Sequence, residues 1–399
     1  MCEGGVIMKC SLKMKNCILV GISLFICVFA FVGCNGNADS ADGETFSVCT
    51  DSDGSNNGAY GNLSVTYDNE IYYVGEGENN GEWIAAMDKD GENNKVLYTA
   101  ETNRNWLRYL YIDGAKLYFL EDTLNSDYGH DKAELKCLNL HDGVSETLYS
   151  SEGIILSPVY YGDKLYFLEQ GENLGLALGE EMTADSFLLR SVSVKGGDPK
   201  DLGKFEYERF TIQNERIYAF SSHGQDELIT YDLNGGNKKV IYKEEENTVV
   251  PLMFLGHRLL IAVYSFEAPP VYYTIALDGT DKKKADLGSF DGNMTCNSIG
   301  NKLYLLDHKK DFAATNSDLE LIPQETSSGD LSVNPEYDLY QHEYHLWEAE
   351  WDKDGNITVP FDTGVEDSAL MGSFSGDWVF TATVGRYNDR ILTKVRREF

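Results

Sequence analysis

One eight-residue pattern constrains this chain more than any other feature, because it recurs along nearly the whole sequence. Residues 114–121 (GAKLYFLE) return as residues 162–169 (GDKLYFLE) and as residues 300–307 (GNKLYLLD). Each copy is typical of a tight turn followed by a strand rich in aromatic and leucine residues. Weaker copies begin at Asn69, Asn214, Gly256 and Gly376. The chain is therefore a repeat protein with seven copies of one strand.

The spacing of the copies indicates the architecture. Equivalent positions from Ile71 to Leu303 lie about 42 to 52 residues apart, and the second unit contains four strand-like segments between residues 106 and 149. Antiparallel four-stranded units with such a period are typical of β-propellers. We predict an all-β fold, a seven-bladed β-propeller of four-stranded antiparallel blades, with eight or six blades as alternatives.

The interval from Leu303 to Trp378 is too long for one plain blade. We assign residues 309–340 to an insertion between the second and third strands of the sixth blade; a hidden extra blade would make eight. The last unit ends after its third strand, near residue 396, which leaves unpaired backbone groups at a sheet edge. Residues 44–50 are predicted to supply the missing fourth strand and to close the ring.

Asp-Gly or Asn-Gly follows the third strand in several units, as at Gly91, Gly235, Gly279 and Gly355. These dipeptides favour two-residue hairpins in which both central residues have positive φ, so we predict such turns between the third and fourth strands.

The N-terminus carries the pattern of a secretory signal, with basic residues between Lys9 and Lys15 before an apolar run at residues 17–32. That run is short for a membrane-spanning helix of roughly 20 residues. Residues 31–34 (FVGC) resemble the lipobox of bacterial lipoproteins. The resemblance implies that Cys34 is lipidated and becomes the first residue of the mature chain; an uncleaved signal anchor or ordinary secretory cleavage is the alternative.

These observations divide the chain into a signal peptide at residues 1–33, a lipidated tether at residues 34–43 and a propeller domain at residues 44–399. The tether is rich in Asn, Gly, Asp and Ala and lacks an apolar face, as flexible linkers do. We therefore expect a lipid-anchored protein, palmitoylated at Cys34, on the extracytoplasmic face of the cell membrane.

The repeat also resembles bacterial extracytoplasmic propellers that are similar to the YWTD propellers of low-density-lipoprotein-receptor-related proteins. The residues that carry this resemblance are 117–121 (LYFLE), 140–143 (LHDG) and 275–279 (IALDG). It implies the propeller fold over residues 60–399. It does not imply receptor-type ligands, because no unit has the literal Tyr-Trp-Thr-Asp sequence and YWTD rings have six blades.

The formal net charge of −32 disfavours nucleic-acid binding and favours a cationic partner over an anionic one. Beyond the leader and Cys34 only Cys49, Cys137 and Cys296 remain, and their wide spacing supports neither a disulfide framework nor a zinc site. We expect them to be buried. Acidic turns such as residues 88–91 (DKDG) lack the later ligands of a calcium loop, so no metal and no cofactor is predicted.

The connections between second and third strands are long and share one face of a propeller, so that face is the predicted binding surface. Aromatic side chains there stack well on sugars or peptide side chains. Glu121 and Glu169 end equivalent strands at this face, where they accept hydrogen bonds as repeat positions or act as acid and base on a glycosidic bond. The predicted binding residues are Trp106, Tyr128, His130, Phe266, Glu121 and Glu169.

No nucleophile elbow, phosphate loop or dinucleotide fingerprint occurs in the sequence, and no catalytic residue is predicted. The main prediction is a non-enzymatic propeller that binds a peptide, protein or glycan. The alternative is a carbohydrate-active hydrolase or lyase that uses carboxylates at the mouth of the central channel.

Overall fold

The computed structural model of the chain describes most of the repeat region, within the unit Ser40–Phe399. No helix in the described part is long and apolar enough to cross a bilayer. Predictions for Cys34, the tether and residues 44–50 concern residues outside this part. The described residues are 63–76, 81–124, 130–170, 187–207, 209–220, 226–245, 247–265, 269–288, 295–299, 301–308, 344–367, 371–375, 378–384 and 390–396.

The first four blades are four-stranded antiparallel sheets with their strands in chain order. Their strands are β1 (Ser64–Tyr67), β2 (Glu70–Glu76), β3 (Glu82–Asp88) and β4 (Lys95–Thr99); β5 (Asn105–Asp113), β6 (Lys116–Leu124), β7 (His130–Asn139) and β8 (Ser145–Ser151); β9 (Ile155–Tyr161), β10 (Lys164–Gln170), β11 (Phe187–Ser193) and β12 (Lys200–Phe205); β13 (Arg209–Gln213), β14 (Arg216–Phe220), β15 (Glu227–Asp232) and β16 (Lys239–Lys243).

Blades 5 and 6 have four strands each, and three strands of blade 7 are described. These strands are β17 (Thr248–Leu255), β18 (Arg258–Tyr264), β19 (Val271–Ala276) and β20 (Lys283–Ala285); β21 (Thr295–Ile299), β22 (Lys302–His308), β23 (Tyr344–Glu350) and β24 (Phe361–Asp367); β25 (Met371–Ser375), β26 (Trp378–Val384) and β27 (Arg390–Arg396).

The prediction of an all-β propeller is confirmed: the described residues form six four-stranded antiparallel sheets and a seventh sheet with three described strands, and each repeat copy is the second strand of its sheet. The first strands of neighbouring blades lie side by side, and β1 lies beside β25, so first and last blades meet. Blades 4 and 5 meet through β15 and β17. First strands therefore line a central channel. The insertion in blade 6 separates β22 from β23, as predicted.

The turns between first and second strands have two residues, and their sequences fit the backbone they adopt. Asp68 and Asn69 both have positive φ (48° and 66°), which is the pattern of a type I′ turn. In the second blade only Gly114 is positive (56°), at the first central position, as in a type II′ turn. Both turn types match the right-handed twist of the strands they join.

The prediction for the Asp-Gly turns is wrong in detail. Among the three central residues 89–91 only Gly91 has positive φ (84°), and its N–H donates to the carbonyl of Asp88 at 2.9 Å, while the Asp88 N–H donates to the carbonyl of Glu92 at 3.1 Å. This pattern is a three-residue turn with glycine at the bulge position. Asn93, two residues after the glycine, also has positive φ (53°).

The outer strands of blades 1 to 4 carry a β-bulge at one shared register position. The bulged residues are Leu97, Leu148, Leu202 and Ile241. A bulge twists an exposed edge and makes it a poor template for pairing with another chain. The glycine of the next blade's outer hairpin then packs close to this bulge: a Cβ on Gly279 would lie 1.6 Å from the carbonyl oxygen of Ile241.

The core lies between blades rather than in one central cluster. Ile71 and Leu107, for example, belong to one cluster shared by blades 1 and 2, and Tyr118 and Phe167 to the next. Cys137 and Cys296 are buried free cysteines, as predicted, and burial raises the pKa of the Cys137 thiol to about 11. Each blade is therefore stabilised mainly by its two neighbours.

Candidate functional site

The connections between second and third strands open onto one face, which we call the loop face. They include residues 125–129, 171–186 and 309–343, so the prediction that this set contains long loops is confirmed. First strands begin at this face and second strands end there. The mouth of the channel on the loop face is therefore built from the first residues of β5, β9, β13 and their equivalents.

Two neighbouring first strands carry the same backbone irregularity near this mouth. Tyr109 on β5 has φ of 59° and Ser157 on β9 has φ of 49°, and each lies in a bulge opposite the same position of the second strand. Left-handed backbone is uncommon for residues other than glycine, and such conformations cluster at functional sites. Blades 2 and 3 therefore carry the left-handed, bulged backbone that is typical of functional sites.

Arg108 precedes the first of these bulges and forms a buried ion pair. Its Nε lies 2.7 Å from Oδ2 of Asp122, and its Nη2 contacts the same oxygen. The Asp122 side chain is fully buried, whereas 13% of the Arg108 side chain is exposed. Although burial opposes the charged guanidinium, the nearby Asp122 carboxylate raises the pKa of Arg108. The guanidinium is thus permanently charged and held in one orientation.

Blade 4 places a second arginine at the same register position. Arg108 pairs with Leu120, and Arg209 pairs with Phe220, which is the equivalent residue of its own second strand. Both arginines are half-buried, as is Trp106 two residues before Arg108. The first strands of blades 2 and 4 therefore bring two cationic groups and an indole to the mouth on the loop face.

Glu121 does not end its strand as predicted, because β6 continues to Leu124, and three internal donors occupy its carboxylate. Oε2 accepts hydrogen bonds from the Tyr98 hydroxyl at 2.5 Å and from Nζ of Lys136 at 2.6 Å, and Oε1 accepts one from Nδ2 of Asn105 at 2.6 Å. Although burial opposes ionisation, the hydrogen bonds from Lys136, Tyr98 and Asn105 hold the pKa of Glu121 below its ordinary value.

Glu169 repeats this arrangement one blade later. Its carboxylate accepts hydrogen bonds from the Tyr149 hydroxyl at 2.8 Å and from the Ser151 hydroxyl at 2.5 Å, and it contacts Nη1 of Arg190. Tyr98 and Tyr149 both belong to the outer strand of the preceding blade. In blades 2 and 3 the repeated acid therefore joins two blades through a tyrosine and a cation, rather than through backbone hydrogen bonds.

Of the other predicted binding residues, Trp106 lies on the channel-lining strand β5, at the mouth. His130 begins β7, where only its backbone is described. Tyr128 and Phe266 lie outside the described residues, so the prediction for them stays open.

The acidic turns use their carboxylates internally. Oδ1 of Asp88 accepts hydrogen bonds from the N–H groups of Asp90 and Glu92, and Asp352 makes the equivalent bonds with Asp354 and Asn356. Within the described ranges, no group of three or more His, Cys, Asp or Glu is placed to hold a metal ion.

Sequence reasoning missed Arg108, Arg209 and Glu82. Arg108 lies within an otherwise apolar part of β5, whereas Arg209 and Glu82 are the first residues of β13 and β3, so only Arg108 carries a local signal. Glu82 begins β3 and is only 2% exposed. Its Oε2 accepts a hydrogen bond at 2.6 Å from the N–H of Leu107, the residue before Arg108.

No family model matches the sequence, and no curated protein is similar to it in sequence. An oligogalacturonate lyase from Vibrio parahaemolyticus is similar in structure, with a TM-score of 0.53 at 11% identity over 86% of this chain and 89% of the lyase. An oligogalacturonate lyase in complex with manganese gives a TM-score of 0.50 at 12% identity, over 83% of this chain and 86% of the lyase.

A prolyl endopeptidase is similar with a TM-score of 0.53 at 10% identity, over 86% of this chain. The match covers 49% of the peptidase, so this chain spans about half of that protein's length. At such low identities these similarities concern the fold alone.

The similar structures are enzymes, which contradicts the prediction of a non-enzymatic binding or scaffold propeller. That prediction treated a repeat fold without a short catalytic motif as evidence against catalysis. The inference is wrong because a propeller can collect functional groups from several blades, so the site need not appear as one contiguous motif.

Proposed function

We propose that this chain is a carbohydrate-active enzyme that cleaves acidic, uronate-containing oligosaccharides by β-elimination at the channel mouth on the loop face. The observation that carries the proposal is the placement of Arg108 and Arg209 at one register position of two channel-lining strands, with Trp106 beside the first. A guanidinium binds a carboxylate in a fixed geometry, and an indole stacks on a sugar ring.

The state of the described carboxylates favours a lyase over a hydrolase. Glycoside hydrolysis requires a protonated carboxylic acid, usually one whose pKa is raised by its surroundings. Glu121 is held ionised by Lys136, and Arg108 forms a buried ion pair with Asp122. Glu121 is therefore not suited to protonate a leaving group.

In β-elimination a base removes the proton from the carbon next to the uronate carboxylate. The C4–C5 double bond forms, the C4–O4 bond breaks, and the departing oxygen takes up a proton. Negative charge accumulates on the carboxylate during proton removal, so a fixed cation there lowers the barrier. We assign this role to Arg108, whose orientation is held by Asp122 while other guanidinium N–H groups point away from that contact.

The length of the matched structures supports the lyase class. This chain covers most of both oligogalacturonate lyases but half of the peptidase. Arg108 and Arg209 also allow an anionic substrate to bind a protein of net charge −32, since a short-range guanidinium contact is screened less than the distant surface charges.

We also propose that the protein is anchored to a membrane through a lipid. A bacterial lipoprotein diacylated at Cys34, with a tether at residues 34–43, would hold the propeller at the extracytoplasmic face of the cell membrane. The lipobox-like residues 31–34 support this reading. We also propose that the propeller is similar to YWTD propellers.

The test is to incubate the purified protein with oligogalacturonate and with a neutral oligosaccharide of matched length. We expect the acidic substrate alone to give an ultraviolet absorbance from the new double bond conjugated to the carboxylate. Arg209→Gln should raise KM, and Arg108→Lys should lower kcat about 100-fold, as loss of one oriented donor to a developing negative charge does.

The matched control is Arg216→Lys. Arg216 also pairs with an aspartate, Asp232 at 2.7 Å, but it begins β14 at the face opposite the loop face. Its substitution should leave the rate unchanged. The proposal fails if no uronate polymer is cleaved, or if Arg108→Lys and Arg216→Lys behave alike.

A further inference from the structure

We propose that Glu82 is a positioning residue for the channel-mouth segment that carries Trp106 and Arg108; this inference rests on the proposed function. Glu82 belongs to blade 1, whereas the segment belongs to blade 2. Its buried carboxylate accepts the Leu107 N–H at 2.6 Å, so a side chain of one blade fixes the backbone of the next.

The hydrogen bond between Glu82 and Leu107 is one of two contacts that hold this segment, and we call the two contacts together the clamp. Two residues earlier, Nδ2 of Asn105 donates to Oε1 of Glu121 at 2.6 Å, and Oδ1 of Asn105 accepts a hydrogen bond from the Thr102 hydroxyl at 2.6 Å. The residues on both sides of Trp106 are thus held by buried carboxylates. The clamp ends immediately before Arg108, the residue assigned to the substrate carboxylate.

The repeat itself does not require an acid at this position. Glu82 pairs with Glu76 at the end of the second strand, and the corresponding pairs in blades 2 and 3 place Ala133 and Phe187 there. Both of those residues are buried and apolar. Because a buried carboxylate costs free energy that an apolar residue does not, the acid needs a reason specific to the interface between blades 1 and 2.

The segment that follows Leu107 supplies that reason. The equivalent bulge in blade 3 follows Leu156 and has Ala133 at the corresponding position, whereas the bulge in blade 2 follows Arg108. Tyr109 has left-handed backbone directly after Arg108, and a non-glycine residue in this conformation persists only where its surroundings hold it. Glu82 holds the segment from the N-terminal side, while the Arg108–Asp122 pair holds it from the side chain. Together these contacts preorganise the guanidinium, and preorganisation is worth most where charge develops in the transition state.

The experiment compares Glu82→Ala, Glu82→Gln and Glu82→Asp in the full chain by hydrogen exchange and by kinetics. In Glu82→Ala the amides of Leu107 and Arg108 should exchange at least about tenfold faster, because the N–H loses its buried acceptor. The kcat on oligogalacturonate should fall about 10- to 100-fold, with little change in KM. Glu82→Gln retains an acceptor oxygen and should restore both.

The control for general loosening is Ile71→Val, which removes one methyl group from the core shared by the same two blades, at the end of β2 remote from the loop face. It should lower the Tm and leave kcat unchanged. Unaltered exchange at Leu107 in Glu82→Ala would overturn the clamp, and equal kcat losses in Glu82→Ala and Ile71→Val would overturn its catalytic importance. Should Glu82→Ala fail to fold, Glu82→Asp, which withdraws the acceptor by one methylene, decides by the same criteria.

The two readouts separate this inference from the proposed function. Absence of lyase activity in the wild-type protein would defeat the proposed function and, with it, the catalytic role of Glu82, while the exchange data would still decide whether the clamp exists.

Discussion

Two neighbouring interfaces of the ring solve the same packing problem with different chemistry. Between blades 2 and 3, Glu169 is enclosed by Tyr149 and Arg190. Between blades 3 and 4, the rings of Phe205 and Phe210 meet edge to face at 6.0 Å. The first interface is built around ions and the second around aromatic rings, although both use the outer strand of one blade and the inner strands of the next.

The difference teaches what the repeated acid is for. The outer-strand position held by Tyr98 and Tyr149 is Gly203 in blade 3, and the next blade has Ser221 where Glu121 and Glu169 stand. Acid and tyrosine are present together at the interfaces of blades 1 and 2 and of blades 2 and 3, and both are absent between blades 3 and 4. Between blades 4 and 5 the tyrosine position holds Tyr242, while Val263 replaces the acid. Where acid and tyrosine occur together, the carboxylate joins two blades.

The largest expected effect comes from removing the cation that pairs with Glu121, at the ionic interface between blades 1 and 2. Lys136 is 5% exposed and pairs with Glu121 at 2.6 Å. Lys136→Met leaves the carboxylate buried without its cation, so the free energy of unfolding should fall by about 3–5 kcal/mol. Chemical denaturation measures the loss. The double variant Lys136→Met, Glu121→Gln removes the uncompensated charge and should recover more than half; no recovery would show that the pair is not electrostatically coupled.

A smaller effect is expected at the aromatic interface. Phe205 is 2% exposed, and its ring lies 5.4 Å from that of Tyr231. Phe205→Leu keeps an apolar side chain but leaves part of the ring's space unfilled, so it should cost about 1–2 kcal/mol. The loss should be the same at low and high salt. A strong salt dependence would contradict the contrast between the two interfaces.

A smaller change still is expected from one hydroxyl of the ionic interface. Tyr149→Phe removes the donor to Glu169 while Ser151 and Arg190 remain, so we expect a loss of about 1 kcal/mol in the free energy of unfolding. Burial and the bond to Glu169 raise the pKa of Tyr149 to about 12, so the hydroxyl is a donor throughout the neutral range. An unchanged Tm in Tyr149→Phe would mean that this hydrogen bond makes no net contribution to stability.

The ionic interface between blades 1 and 2, which contains Glu121, and the aromatic interface between blades 3 and 4 should also differ in acid. The folded state holds the pKa of Glu121 below its ordinary value of 4.5. The stabilisation is therefore complete above that pH and is lost as the pH falls through the lower folded value. Hydrogen exchange should show the Tyr98 segment loosening below about pH 4.5 before the Phe205 segment does. Simultaneous loosening would contradict the assignment.

The sequence was sufficient for most of the fold, because the repeated turn and strand are local signals. Residues 114–121 carry a turn type and an apolar pattern that only a second strand in a blade satisfies. The outer hairpin was less predictable, since the dipeptide does not distinguish a two-residue from a three-residue turn.

The candidate site was less accessible to sequence reasoning, because it depends on pairs that lie in different blades. From the sequence alone Glu121 looks like a carboxylate that is open to solvent, whereas the structure places Tyr98 and Lys136 beside it. Arg108 reads as a surface charge until the register shows that it lies on a channel-lining strand at the level of Arg209. Contacts between units some tens of residues apart leave no local pattern.

The central claim is that the channel mouth on the loop face performs elimination on an acidic sugar. Mass spectrometry of the products from oligogalacturonate tests it most directly. Elimination adds no atoms, so the fragment masses should sum to the mass of the substrate, and one fragment should carry the unsaturated end. Fragments that together exceed the substrate by one water would show hydrolysis instead, and an intact substrate after prolonged incubation would contradict the account altogether.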